Sequence, residues 1–220
     1  MNIFNIIGPV MIGPSSSHTA GAARIGRVAY KLLDDVPVKA EIGLCGSFAE
    51  TYKGHGTDKA LLAGIMNMRT DDKRICAARE IAESSGLEYR FYTTQMKGAH
   101  PNTAIIHLWG ASGKECSLQG ASVGGGNIEI RSVNGMTVEF NAESNTLLVL
   151  HKDVKGTIAQ VTEKVAAMGM NIGDFRSSRP VKGRDALMTI EIDESMHSGE
   201  VESLRSLPNV INVVLVKALS

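Results

Sequence analysis

Cysteine is scarce: the 220 residues hold three, Cys45, Cys76 and Cys116, widely spaced and without a CxxC pair. An odd, scattered set is no disulfide framework and offers no zinc-ligand spacing, and it fits buried or idle thiols in a reducing, cytoplasmic setting. A charge surplus is also lacking. Lys plus Arg and Asp plus Glu number 23 each, for no net charge. The basic excess expected of a nucleic-acid binder is absent, and nothing suggests a membrane surface. No apolar run approaches the roughly 20 residues needed to span a bilayer. The N-terminal stretch "MNIFNIIGPVMIGPSSS" has no basic region ahead of its short apolar segment, which argues against a secretory leader. What remains is ordinary globular composition, 43% apolar and 21% charged, in a chain long enough for two small domains.

Hydrophobic periodicity predicts a helix over "AGAARIGRVAYKLLDD", with Ile25, Val28, Ala29, Leu32 and Leu33 on one face. "VKAEIGLCG" alternates as a strand, and helices follow from Thr57 and from Lys73, the latter stopped by Gly86. Strand-like runs come next, "LEYRFYT", "NTAIIHLWG" and "ECSLQGASVGGGNIEIRSVNGMTVEF", with a tight turn at Asn134-Gly135. The first part is thus mixed, with helices early and an antiparallel sheet late. "NAESN", Asn141 to Asn145, interrupts the pattern, so the domains expected are 1–144 and 145–220. Beyond it the order strand, helix, strand, strand, helix, strand predicts a ferredoxin-like βαββαβ unit, and the fold class is α+β.

Polar, glycine-rich loops are the candidate sites. "GPSSSHTAG" precedes the first helix, whose N-terminal N–H groups favour an anion. Ser15, Ser16, Ser17 and Thr19 offer hydroxyls for a carboxylate or phosphate, or one of them simply caps the helix. His18 adds a titratable ring. "GSFAETYKGHGTDKALLAG" sets His55 between Gly54 and Gly56, which keep neighbours from crowding it. His100 and Asn102 in "GAHPNTA" form a further polar site. "SVGGG", Ser122 to Gly126, reads either as an anion nest or as a bulged strand end. His107 alternates with apolar residues and is read as structural; His151 and His197 receive no catalytic role.

"GPSSSHTAGAARIG", "GSFAETYKGHGTDKA", "PNTA" and "GASVGGG" together resemble the β subunit of the iron–sulfur-dependent L-serine dehydratases, over essentially the entire first domain. From Thr146 to about Ala218 the chain resembles an ACT domain, through "HKDVKGTIAQV" and "GMNI", with Lys155 where that family often carries proline. The resemblance implies deamination of L-serine to pyruvate and ammonia, a step in amino-acid degradation and gluconeogenesis. It implies a [4Fe–4S] cluster whose cysteines belong to a separate α subunit, so that no metal ligand is expected here and the enzyme is a heteromer. Carried over by motif, His18 and His55 are the candidate bases, and Ser15, Ser16, Ser17, Thr19 and Asn102 are candidate ligands for a small amino-acid substrate. In the tail the resemblance implies self-association and an effector site at Asp153, Gly156, Asn171 and Ile172, for an amino acid or a monovalent cation. Similar domains serve some phosphoglycerate dehydrogenases as serine-binding regulatory modules, so a non-catalytic serine sensor is the alternative.

Overall fold

The computed structural model describes Met11, Gly13 and residues 15–219. The reading of the N-terminal stretch as lacking a leader therefore lies largely outside the described residues. Two compact units divide the chain, Met1–Gly135 and Met136–Ser220.

The first unit opens with a π-helical turn, Ser16–Gly21, that runs directly into α1 (Ala22–Leu33). There follow β1 (Pro37–Leu44), α2 (Gly46–His55), α3 (Thr57–Ile65), a 3₁₀ turn (Lys73–Ala77), α4 (Ala78–Ser84), β2 (Glu88–Thr93), β3 (Thr103–Gly110), β4 (Glu115–Gly124) and β5 (Asn127–Val133). The strands lie in the order β2-β1-β3-β4-β5. The expected mixed architecture is present, with antiparallel pairing from β1 through β5; β1 and β2, however, run parallel. Pleat alternation turns Ala40, Ile42 and Leu44 of β1 into the core together with Ile106 and Leu108 of β3. The periodic face expected of α1 is the one buried, with Ile25, Val28 and Ala29 fully enclosed. Asn134 and Gly135 both take positive φ, 50° and 76°, as a tight primed turn requires.

α1 packs against α3 and across β3 and β4. The two helices approach so closely that side chains are excluded at the crossing. A Cβ on Gly26 would lie 2.4 Å from the Leu61 carbonyl oxygen, and one on Gly64 would lie 2.1 Å from that of Ala23. This crossing fixes where α1 begins, and so where the serine-rich turn sits.

β6 (Met136–Phe140) opens the second unit, followed by β7 (Asn145–Lys152), α5 (Thr157–Ala167), β8 (Ile172–Ser178), β9 (Asp185–Ile192), α6 (Ser198–Arg205) and β10 (Val210–Val216). From β7 onward the order is βαββαβ, and the four strands form an antiparallel sheet, β10-β7-β9-β8. Its core joins Leu147, Val149, Met188, Ile190 and Val213 of the sheet to Val161 and Val165 of α5 and Leu204 of α6. Each such buried aliphatic contributes about 1.5–3 kcal/mol of transfer free energy.

Gly64→Ala is expected to destabilise the first unit by about 1–3 kcal/mol, because backbone stands where the methyl must go. Urea unfolding of the full chain checks this through a lower midpoint with an unchanged slope; an unchanged midpoint contradicts the crossing as described.

Candidate active site

The first loop is shaped by its own hydroxyl. Ser15 is extended (φ −142°, ψ 127°), and its Oγ accepts from the His18 backbone N–H at 3.2 Å. Its carbonyl accepts from the Thr19 N–H at 2.9 Å. Ser15 is therefore the cap that the sequence left as one option. Ser16, Ser17 and His18 are half-buried. Thr19 is buried, and its Oγ1 has no partner among the described residues. A π-helical turn is wider than an α-turn and is found mostly as a local insert, often at functional sites.

His18 reaches across to the second loop. Its Nε2 lies 3.2 Å from Ser47 Oγ, while Nδ1 is 3.4 Å from Ser15 Oγ. Its ring meets Phe48 edge-on at 5.3 Å and stands 4.9 Å from the ring of His55 at 81°. Ser47 and His55 are carried by α2, which the sequence reading did not anticipate. Glycines at positions 46 and 54 and a single buried side chain, Phe48, leave this helix almost no apolar stripe to read. Ser47 was missed with it, although it lies within the quoted motif.

α2 is held at both ends. The N–H groups of Cys45 and Phe48 donate to the carbonyls of Thr103 and Pro101, at 3.0 and 3.3 Å. At the other end Gly56, at φ 72°, ends α2 and starts α3 in one left-handed step. His55 is thereby left exposed on the last turn. Behind it, buried Asp58 pairs with Arg79, and Thr57 Oγ1 is buried without a partner among the described residues.

The loop before β3 is the third wall. Asn102 accepts at its carbonyl from the Ser122 N–H at 3.0 Å, and its Nδ2 donates to the Ser122 carbonyl at 3.4 Å. His100 is exposed and accepts the Asn102 N–H at Nδ1. "SVGGG" is a bulged strand end: β4 is irregular between Ser122 and Gly124, and the chain turns through Gly125 and Gly126 at φ 62° and 83°. His107 stacks on Trp109 at 3.9 Å, away from these loops on β3.

Burial lowers the pKa of His18 below the ordinary imidazole value, the nearby His55 lowers it further, and a hydrogen bond at Ser47 opposes both. Two of the three cysteines are poorly suited to hold a cluster, and the third, Cys76, is exposed. Burial raises the thiol pKa of Cys45 and pushes that of Cys116 up to about 12, whereas cluster ligation needs thiolates. Among the described residues no group of three His, Cys, Asp or Glu side chains is placed to hold a metal ion. The residues present do not fit an iron–sulfur cluster.

In the second unit the expected effector residues split into two sets. Asp153 accepts at Oδ2 from Arg179 Nη1 and the Gly183 N–H, both at 2.9 Å, and these bonds lower its pKa. Gly156, at φ 89°, starts α5 beside it. Nearby, His151 Nε2 and Thr157 Oγ1 are buried and have no partner among the described residues. Asn171 instead bonds Asp193 and Glu194, and Ile172 pairs with Ile192. Strand register places that second set at the opposite end of the sheet from Lys152 and Asp185.

Residues 2–86 match the family model described as serine dehydratase beta chain. The chain is 46% identical to a probable L-serine dehydratase, beta chain, of Bacillus subtilis, over 98% of this chain and 97% of that one. It is 38% identical to an L-serine dehydratase, beta chain, of Peptoniphilus asaccharolyticus, over 92% and 90%. A D-3-phosphoglycerate dehydrogenase of Bacillus subtilis is 21% identical over 89% of this chain but 37% of its own length.

The His18 ring resonances are expected to titrate with a midpoint below about 6.5. His55→Gln removes the like charge and should move that midpoint upward. Since the unfolded chain binds this proton more readily, the group weakens folding as pH falls below about 6.5 and has little effect above it. An NMR titration of both proteins checks the direction; a His18 midpoint above 6.5, or one unmoved by His55→Gln, contradicts the assignment.

Proposed function

The chain belongs to the serine dehydratase β-chain family, and from that premise we propose that it is the substrate-binding subunit of an L-serine dehydratase. Together with a separate α subunit it deaminates L-serine to pyruvate and ammonia. The observation that carries this reading is the meeting of His18 and His55, from two loops, with rings 4.9 Å apart.

Elimination needs a base for the Cα proton and a site that holds the carboxylate. His18 has a serine hydroxyl at each ring nitrogen, which favours an orienting role. His55 is exposed, and among the described residues no side chain hydrogen-bonds its ring, so it is the base in this proposal. Ser16, Ser17 and Thr19 grip the carboxylate at the head of the turn. Loss of the Cα proton and of hydroxide, which leaves as water, gives aminoacrylate. That product rearranges to an imine and hydrolyses to pyruvate and ammonia. The [4Fe–4S] cluster, which the residues of this chain do not fit, is assigned to the α subunit.

For the tail the proposal is an ACT domain of ferredoxin-like arrangement, with domains at 1–144 and 145–220. Its support is the βαββαβ order and the four-stranded sheet. Asp153 and Asn171 lie toward opposite ends of one sheet, so a ligand touching both sets would sit between two copies. That is consistent with self-association and with regulation by a small amino acid or cation. A cytoplasmic enzyme is proposed; among the described residues no helix is long and apolar enough to cross a membrane.

In the assembled enzyme His55→Ala is expected to cut pyruvate formation from L-serine by about 10²–10⁴-fold. His18→Ala should also lower kcat. Normal turnover in both variants would reject the catalytic reading and leave a serine-binding regulator.

A further inference from the structure

The loop between β8 and β9, residues 179–184, takes its shape from its own backbone. The Arg184 N–H donates to the Val181 carbonyl at 3.3 Å, and the Arg184 carbonyl accepts from the Asp153 N–H at 2.8 Å. Asp153 Oδ2 accepts the Gly183 N–H at 2.9 Å, and Gly183 turns the chain at φ 76°. One loop side chain serves this frame, Arg179, through its bond to Asp153. The side chains of Lys182 and Arg184 are exposed and make no hydrogen bond or ion pair among the described residues.

Positive charge is concentrated at this end of the sheet. Residues 152–155 and 179–185 hold five cations and two carboxylates, in a chain that has no net charge. Both carboxylates are already paired: Lys152 Nζ lies 2.6 Å from Asp185 Oδ1, and Arg179 Nη1 lies 2.9 Å from Asp153 Oδ2. Lys155, Lys182 and Arg184 are left without an opposite charge among the described residues. Like charges gathered in this way repel, and an anion between them relieves the repulsion.

The second unit has a cavity of about 530 Å³ at the same place, within the roughly 300–1,000 Å³ of small-molecule sites. Lys152, Arg184 and Asp185 form its polar wall, and Met136, Pro180 and Val181 its apolar one. Lys152 follows buried His151 in β7, so pleat alternation turns it to the sheet face opposite the core under α5 and α6. A planar guanidinium matches two oxygens of a phosphate or a carboxylate, and Lys152 adds a second charge beside it. A singly charged ligand would leave most of the local excess unmatched.

We propose that this cavity binds a small, multiply charged oxyanion, a phosphate ester or a polycarboxylate, with Arg184 and Lys152 as its ligands. The site is independent of the proposed serine site. Isothermal titration calorimetry of the full chain tests it, with inorganic phosphate and with citrate at an ionic strength held constant by sodium chloride. Saturable binding of at least one anion is expected; tighter phosphate marks a phosphate ester, and tighter citrate a polycarboxylate. Arg184→Gln should weaken binding by about tenfold or more, the scale of a hydrogen bond to a charged group. Arg131→Gln, at an exposed arginine of the first unit, should change it by less than about twofold. Val181→Glu sets a carboxylate into the exposed wall and leaves the backbone bonds of the loop in place, so it should weaken binding as well. No saturable binding of either anion below about 10 mM would overturn the proposal. Equal weakening by Arg184→Gln and Arg131→Gln would overturn it too, since net charge alone would then set the affinity. If Arg184→Gln does not fold, Val181→Glu decides, and unchanged affinity in that variant is the contrary result.

Discussion

One contact organises the candidate site: the 3.2 Å approach of His18 Nε2 to Ser47 Oγ. Residues 29 positions apart are joined there, and each belongs to an element already fixed elsewhere. The π-helical turn is set by the close crossing of α1 on α3, which leaves room only for Gly26 and Gly64. The start of α2 is set by the carbonyls of Pro101 and Thr103. A hydrogen bond of this kind adds only about 0.5–1.5 kcal/mol to stability. Its consequence is positional, since it brings the two histidine rings into edge contact and leaves one of them exposed.

Much of the fold was legible in the sequence because local pattern and tertiary packing agree. Ile25, Val28, Ala29, Leu32 and Leu33 are all buried, as their period demanded. Asn134-Gly135 turns as its residue types require, and the order of elements after Asn145 follows the alternation of strand and helix patterns. α2 was not legible, because it is held by capping contacts at its ends and not by an apolar stripe. The parallel pairing of β1 with β2 is decided by the helices between them, which no strand pattern records.

For the site the balance is similar. Polar loops rich in glycine marked His18, His55 and Asn102, and the structure brings the two rings together and latches Asn102 to Ser122. Ser47 carried no signal of its own, since a serine near the start of a helix is ordinarily a cap. The effector residues were read as one group, although Asp153 and Asn171 belong toward different ends of the sheet. A motif states which residue types matter and is silent on which end of the sheet carries them.

The proposed activity needs something this chain does not offer. Burial raises the pKa of its two buried thiols, and in the proposed reading the histidines and hydroxyls supply proton transfer and anion binding alone. The direct measurement is anaerobic pyruvate formation from L-serine by this chain alone and with a cysteine-bearing partner captured from its native extract. Turnover and cluster absorbance only with the partner are the predicted result. Turnover by the lone chain would contradict the account of a half-site, and would require ligation by Cys45 and Cys116, whose burial opposes it, together with the exposed Cys76.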